Sequence, residues 1–254
     1  MKIGILGCGA IANVIVNNVI SQNLNLDLAY FFDKDIEKAE NLASISGGIA
    51  AINFDDMLDN SDLILEAASP SSVEEYAFRV LEKGKNIIIM SIGALLNNDL
   101  REKLIKVANN NNAKINVPSG AVIGLDGIKA VADLNLSEAT LITRKSPKSL
   151  GKSIETEETL FEGKASEAVK KFPYNINVAA SISLACKRDI DVKIIADPSV
   201  KRNIHEIAIK GEFGEFTTKV MNLPCSNNPK TSILAAYSAI NLLKNYNSTL
   251  SIGN

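Results

Sequence analysis

Tryptophan is absent from this chain of 254 residues, histidine occurs once and cysteine three times. A single imidazole excludes a metal site built from several histidines. It also leaves His205 as the one side chain whose ordinary pKa lies near neutrality. Cys8, Cys186 and Cys225 are odd in number and widely spaced, which offers neither a disulfide framework nor a paired zinc motif. They read as reduced thiols of a cytoplasmic protein. No sign of charge dominates: 27 Lys and Arg against 29 Asp and Glu give a formal net charge of -2. A dedicated nucleic-acid binder normally shows a basic excess, so none is expected. No apolar run approaches the roughly 18–20 residues of a membrane span. The opening MKIGILGCGA lacks the small-residue cleavage site of a signal peptide. The acidic stretch Glu155–Glu158 has no ligand order and reads as a solvated face, so no metal is expected. The remainder, 46% apolar and 22% charged, is ordinary for a globular protein with material for one large or two modest domains.

The first half alternates short apolar runs with amphipathic stretches. Strands are expected at Lys2–Leu6, Asp27–Phe32, Ile49–Ile52, Leu63–Ala67, Asn86–Met90 and Lys114–Val117. Helical patterns lie between them at Ala10–Ser21, Ile36–Ala43, Phe54–Leu58, Ser71–Lys83 and Asn98–Asn109. Such alternation implies βαβ units and a parallel sheet covered on both faces. The pattern changes after Pro118. Strand-like runs follow at Ala139–Arg144, Ile154–Phe161, Asp191–Ala196, Ile204–Lys210 and Glu215–Val220, the last two joined by a hairpin turn at Gly211–Gly214. Helices are expected at Ala165–Lys171 and Val178–Cys186. This reads as an open, mostly antiparallel sheet with helices on one face. A final helix, about Thr231–Asn245, has no strand after it and is expected to pack back on the first domain. The expected fold class is α/β. Residues 1–118 with 230–254 form a doubly wound, dinucleotide-binding Rossmann domain, and 119–229 a second α+β domain for substrate and oligomerisation.

The strongest local motif is Gly7-Cys8-Gly9-Ala10-Ile11-Ala12. It follows a predicted strand and opens a predicted helix, the context a dinucleotide fingerprint requires. Gly7 permits the tight turn, Gly9 lets backbone approach a pyrophosphate, and Ala12 in place of a third glycine still permits close helix–strand packing. The amides of Ala10 and Ile11 open the helix whose N-terminus favours phosphate. Asp33, at the end of the second strand, suits the ribose hydroxyls of NAD, while Lys34 beside it softens repulsion of an NADP phosphate. Asp33 also reads as a plain helix N-cap. Ligands lie at the carboxyl ends of such strands. That singles out Ala67, Ala68 and Ser69 after one strand and Ser91 and Gly93 after another; both also read as ordinary strand–helix turns. The Cys8 thiol is either activated by the helix terminus or a small buried filler.

Seven further segments, in order along the chain, resemble the L-aspartate dehydrogenase family. They are Pro118-Ser-Gly-Ala-Val-Ile-Gly-Leu-Asp126, Thr143-Arg-Lys145, Phe172-Pro-Tyr-Asn-Ile-Asn-Val-Ala-Ala180, Ala196-Asp-Pro198, Asn203-Ile-His-Glu206, Gly211-Glu-Phe-Gly214 and Asn228-Pro-Lys-Thr-Ser232. With the fingerprint, the likeness covers nearly the whole chain. The departures, Ala12, Met90-Ser-Ile-Gly93 and Val122, remove no reactive group. The resemblance implies oxidation of L-aspartate to iminoaspartate with NAD or NADP. That product either feeds NAD synthesis through quinolinate or hydrolyses to oxaloacetate and ammonia. A homodimer or higher homo-oligomer is implied as well. The family's catalytic histidine falls on His205, and its nicotinamide-contacting positions on Ala121 and Asn177.

Oxidising an amino acid to an imine requires loss of a hydride from Cα, a neutral amine, and donors for the carboxylates. His205 is the natural base, though a strand histidine bonded to a neighbour fits the residues as well. Glu206 points to the opposite strand face. Lys230, Thr231 and Ser232 read as an anion-binding helix start or a simple cap. Arg144 and Lys145 read as carboxylate receptors or a solvated pair. Asn175 and Asn177 read as amide donors or caps. Two other readings stay open: a related enzyme of the homoserine dehydrogenase or dihydrodipicolinate reductase type, and an NAD-binding regulator without turnover.

Overall fold

Parallel strands buried on both faces need near-continuous apolar runs. The sequence supplies them: Ile3, Ile5, Leu63, Ile64, Leu65, Ile87, Ile88 and Ile89 are all fully buried. In the computed structural model, which describes residues 1–172, 177–225, 228–250 and 252–253, these runs are the centre of a six-stranded sheet. Its elements follow in chain order as β1 (Lys2–Leu6), α1 (Ala10–Ser21), β2 (Asp27–Phe32), α2 (Ile36–Ser46), β3 (Ile49–Ala50), α3 (Phe54–Asn60), β4 (Leu63–Glu66), α4 (Pro70–Glu82), β5 (Asn86–Ile89), α5 (Asn98–Asn110) and β6 (Ile115–Asn116). The spatial order is β3-β2-β1-β4-β5-β6, with every pairing parallel. That is the doubly wound arrangement whose ligand crevice lies outside the carboxyl ends of the strands. A 3₁₀ turn, Ile92–Leu96, follows β5.

The second sheet is built from β7 (Leu136–Lys145), β8 (Glu158–Lys164), β9 (Asp191–Ala196), β10 (Asn203–Gly211) and β11 (Gly214–Asn222), in the order β11-β10-β7-β9-β8. Three of its four pairings are antiparallel; β7 and β9 run parallel. The sheet is therefore mixed. Its buried face packs with α6 (Leu125–Val131), α7 (Ala165–Lys171) and α8 (Asn177–Cys186) around Leu141, Ile182, Ile190, Val192, Ile194, Ile207 and Ile209. A two-stranded ribbon, β12 (Pro224–Cys225) with β13 (Asn228–Ser232), precedes α9 (Ile233–Asn245). The chain divides into two compact units, Met1–Pro118 with Ala236–Leu250, and Ser119–Ala235 with Ser251–Asn254. Most of α9 thus returns to the first unit, where the Asn116 amide donates to the Tyr246 hydroxyl at 3.5 Å.

Several expectations need correcting. Lys230–Ser232 do not start the final helix: they lie on β13, and Ser232 stands opposite Pro224. β-branched Thr231 suits that strand, and the helix begins at Ile233. Residues 154–157, before β8, are irregular rather than strand, and Glu157 there pairs with Arg144. Helix α6 was not expected at all; Gly127 interrupts it and only Ile128 is fully buried, so its pattern is faint.

Candidate active site

The first unit carries a cleft of about 230 Å³ at the carboxyl ends of β1, β2 and β4. Gly7, Gly9, Asp33, Ala67, Ala68 and Ser69 line it, so the structure brings together six residues singled out from the sequence. Gly7 has φ +93, and a Cβ there would stand 2.5 Å from that of Ala68. Glycine is thus dictated twice, by conformation and by the turn packed against it. Gly9 is different. Its φ of -83 and ψ of -157 suit any residue, and a Cβ would meet nothing within 4 Å. The N-cap position favours glycine over alanine, but no neighbouring atom excludes a side chain here, whereas close approach of a pyrophosphate does. Gly9 caps α1 without a side-chain hydrogen bond, which leaves the first-turn amides, those of Ala10 and Ile11 included, without a side-chain cap.

Asp33 does not cap α2; Asp35 holds that position. Instead the Cys8 amide donates to Asp33 Oδ2 at 2.7 Å and the Asp35 amide to Oδ1 at 2.9 Å. The carboxylate braces the glycine loop and keeps one lone pair per oxygen for a ligand. Lys34 pairs with Glu75 at 3.1 Å. Burial and the charge of Asp33 push the Cys8 thiol up to about 12, which leaves it inert filler. Phe32, Ser72 and Tyr76 also line the cleft, and Tyr76 packs on Phe54 with ring centroids 4.3 Å apart. Sequence reading missed these three. Ser91 and Gly93 are buried and do not line the cleft.

In the second unit the alternation of strand side chains builds a polar end on an otherwise apolar buried face. Leu141, Thr143 and Lys145 of β7 point inward, as do Asn203, His205, Ile207 and Ile209 of β10. His205 is only 1% exposed. It stands opposite Thr143 in the ladder, and its Nδ1 lies 3.1 Å from Thr143 Oγ1. Burial, with the charge of Lys145 beside it, lowers the imidazole pKa from 6.5 to about 3. Lys145 is 4% exposed, and burial lowers its pKa from 10.5 to about 8. The ring is therefore neutral near pH 7 and the ammonium still mostly charged.

More polar groups close this end of the sheet. The Asn203 amide donates to Ser232 Oγ at 3.4 Å. Asn222, opposite Asn203 on β11, donates to the Ala121 carbonyl at 2.7 Å. Ala121 and Ser232 thus join the His205 neighbourhood. Thr231 is half-buried on β13, and the side chain of Lys230 lies outside the described residues. Asn177 is exposed at the start of α8, while Asn175 also lies outside the described residues. Arg144 faces the other side of the sheet, bound to Glu157 and, at 2.7 Å, to Asp197. Glu206 lies on that same face, paired with Lys219 at 2.6 Å. Thr143, Asn203 and Asn222 were missed by sequence reading; their register with His205 was the available signal. Among the described residues no cluster of three His, Cys, Asp or Glu could hold a metal, and no helix is long and apolar enough to cross a membrane.

Comparison with known proteins adds independent findings. The family model described as aspartate dehydrogenase, C-terminal, matches residues 126–246, and the one described as homoserine dehydrogenase, NAD binding domain, matches residues 7–118. A protein named L-aspartate dehydrogenase from Methanothermobacter thermautotrophicus is 53% identical over 253 residues, covering 100% of this chain and 98% of the relative. One of the same name from Methanospirillum hungatei is 42% identical over 254 residues, covering 100% and 99%. Among solved structures, aspartate dehydrogenase from Thermotoga maritima matches with a TM-score of 0.80 and 31% identity over 99% of each chain.

Proposed function

The chain belongs to the L-aspartate dehydrogenase family, and we propose that it oxidises L-aspartate to iminoaspartate, with NAD preferred over NADP. The observation that carries the reading is the grouping of the chain's only imidazole with a buried ammonium and a hydroxyl partner, His205 with Lys145 and Thr143. A nicotinamide cofactor, when bound, would supply the acceptor for the hydride that leaves Cα.

The protein's own groups do the rest. Thr143 Oγ1 holds the His205 ring at Nδ1 and can accept or donate there; in the tautomer with Nδ1–H donating, Nε2 is left as the acceptor. Nε2 takes the proton of the substrate ammonium, so that the nitrogen lone pair can form the C=N bond as the Cα–H bond breaks. Lys145 receives a substrate carboxylate. That anion offsets the Lys145 charge, the second cause of the ring's low pKa after burial, and so raises its basicity in part. Asn177, Thr231, Ser232 and Lys230 complete the proposed substrate contacts, and Ala121 and Asn177 adjoin the nicotinamide.

Gly7, Gly9, Ala10 and Ile11 would hold the pyrophosphate, and Asp33 the ribose hydroxyls. The fit rests on Gly9, where the open space beside the helix start leaves room for a phosphate. The preference for NAD rests on Asp33 at the cleft and on Lys34 being engaged by Glu75. That exposed pair is weak, about 0–1 kcal/mol, so NADP use is retained at lower efficiency. Ala67, Ala68 and Ser69 line the cleft and would flank the rest of the cofactor, with the buried turn of Ser91 and Gly93 following the neighbouring strand. Buried free thiols fit a reducing cytoplasm, and a homo-oligomer and a supply of iminoaspartate to pyridine nucleotide synthesis follow from the family. Steady-state rates with L-aspartate, L-homoserine and dihydrodipicolinate, each with NAD and NADP, test the reading. Turnover confined to L-aspartate supports it, and turnover only with another substrate, or with none, rejects it.

A further inference from the structure

Glu66 ends an otherwise apolar strand, Leu63-Ile-Leu-Glu66, and its side chain is 0% exposed. Burial of a carboxylate demands partners, and four groups donate to this one. Oε1 accepts from the amides of Ala68 at 2.9 Å and Ser69 at 3.0 Å, and from the Ser91 hydroxyl at 2.8 Å. Oε2 accepts from the Ser91 amide at 2.9 Å. Burial raises the pKa of Glu66, and the four hydrogen bonds, from three backbone amides and the Ser91 hydroxyl, oppose that rise. The donors belong to two turns, one leading into α4 and the other into the 3₁₀ turn after β5. One buried carboxyl group therefore ties together the turns at the carboxyl ends of two adjacent strands, β4 and β5. The first is also wedged against the phosphate loop, since Ala68 is what a Cβ on Gly7 would strike.

We infer that Glu66 is a positioning residue, which holds the Ser91 turn in place for the nicotinamide half of the cofactor. This rests on the proposed cofactor reading, in which the adenosine end lies by Asp33 and the chain of the cofactor runs across β1 and β4 toward β5. The effect of the nearest isostere follows from the hydrogen-bond count. In Glu66→Gln the carbonyl oxygen keeps the three donors that meet at Oε1, while the new amide group faces the Ser91 N–H. The loss falls on the β5 turn, and the β4 turn with the adenosine end of the cleft is left intact.

The test is binding of NADH, followed by its fluorescence, beside competition by AMP, which carries only the adenosine end. Glu66→Gln should weaken NADH about tenfold, the usual consequence of opposing a buried donor with a donor, and change AMP affinity by less than about twofold. Ser91→Ala, which removes one hydroxyl and spares the carboxylate, should weaken NADH about threefold with the same indifference to AMP. A general loss of packing would weaken both ligands together, and that outcome overturns the inference. So does unchanged NADH binding in a folded Glu66→Gln protein; if that variant does not fold, unchanged binding in Ser91→Ala does the same. Wild-type protein that bound no NADH would overturn the cofactor reading and this inference with it. Wild-type binding that the variants leave untouched overturns this inference alone.

Discussion

A buried ammonium kept for substrate costs the fold stability, and Lys145→Met should expose that cost. Burial lowers the pKa of Lys145 from 10.5 to about 8. At about 1.4 kcal/mol per pH unit, the difference corresponds to roughly 3 kcal/mol by which the fold disfavours the charged form. Lys145 also takes part in an interaction within the fold, and losing one of hydrogen-bond strength returns about 1 kcal/mol. At pH 7, Lys145→Met should therefore be about 2 kcal/mol more stable than wild type. The sign with pH follows from linkage. The unfolded chain holds this proton up to about 10.5, and the fold releases it near 8. The penalty is complete below pH 8 and fades as the pH rises toward 10.5, so the advantage of the variant should fade over that window. Urea unfolding at pH 7 and at pH 10 measures both points. The same variant should lose most L-aspartate turnover and keep NADH affinity, and Lys145→Arg should recover part of the activity. A variant that is less stable at pH 7 and still active would show that Lys145 is a structural anchor, and would refute the reasoning.

Other predictions follow from the same geometry. His205→Ala should lower kcat by about 10²–10⁴-fold, the range of a positioned acid–base group, with NADH affinity retained in a fluorescence titration. His205 is refused its proton by the fold until about pH 3, while the unfolded chain takes it up near 6.5. Wild-type stability should thus fall as pH drops through that window, and His205→Asn should flatten this acid limb in urea titrations. Gly9→Ala should lower the melting temperature only slightly, since its Cβ meets no atom within 4 Å and the loss is that of a poorer N-cap, about 1 kcal/mol or less. NADH binding should be lost to a far larger extent, because the close backbone approach is blocked. Asp33→Ser should shift the ratio of kcat/KM toward NADP. It should also weaken both cofactors, because the Cys8 amide loses its acceptor.

Most of the first unit was legible in the sequence because its central strands, β1, β4 and β5, are buried on both faces and read as nearly uninterrupted apolar runs. The fingerprint, Asp33 and the Ala67–Ser69 turn could be placed from strand order alone, since the crevice position follows from topology. Glu66 was overlooked although the signal was present: a single carboxylate closing the run Leu63–Leu65 has to be satisfied by something. The site in the second unit was harder, because it depends on register. Thr143 and His205 are far apart in sequence and meet only because β7 pairs with β10 at that step. Alternation shows that Arg144 and Lys145 face opposite ways, but which of them goes inward is decided by the sheet, and it is Lys145. Thr231 and Ser232 resemble a helix cap by composition; the cross-strand partner Pro224 wins instead.

The most direct test follows the hydrogen itself. L-aspartate carrying deuterium at Cα is incubated with the protein and its oxidised cofactor, and the reduced cofactor is analysed by mass spectrometry. Deuterium recovered in the nicotinamide ring with wild type, and its transfer slowed by orders of magnitude in His205→Ala, is the result predicted. Reduced cofactor without the label, or equal transfer by the two proteins, would contradict the account.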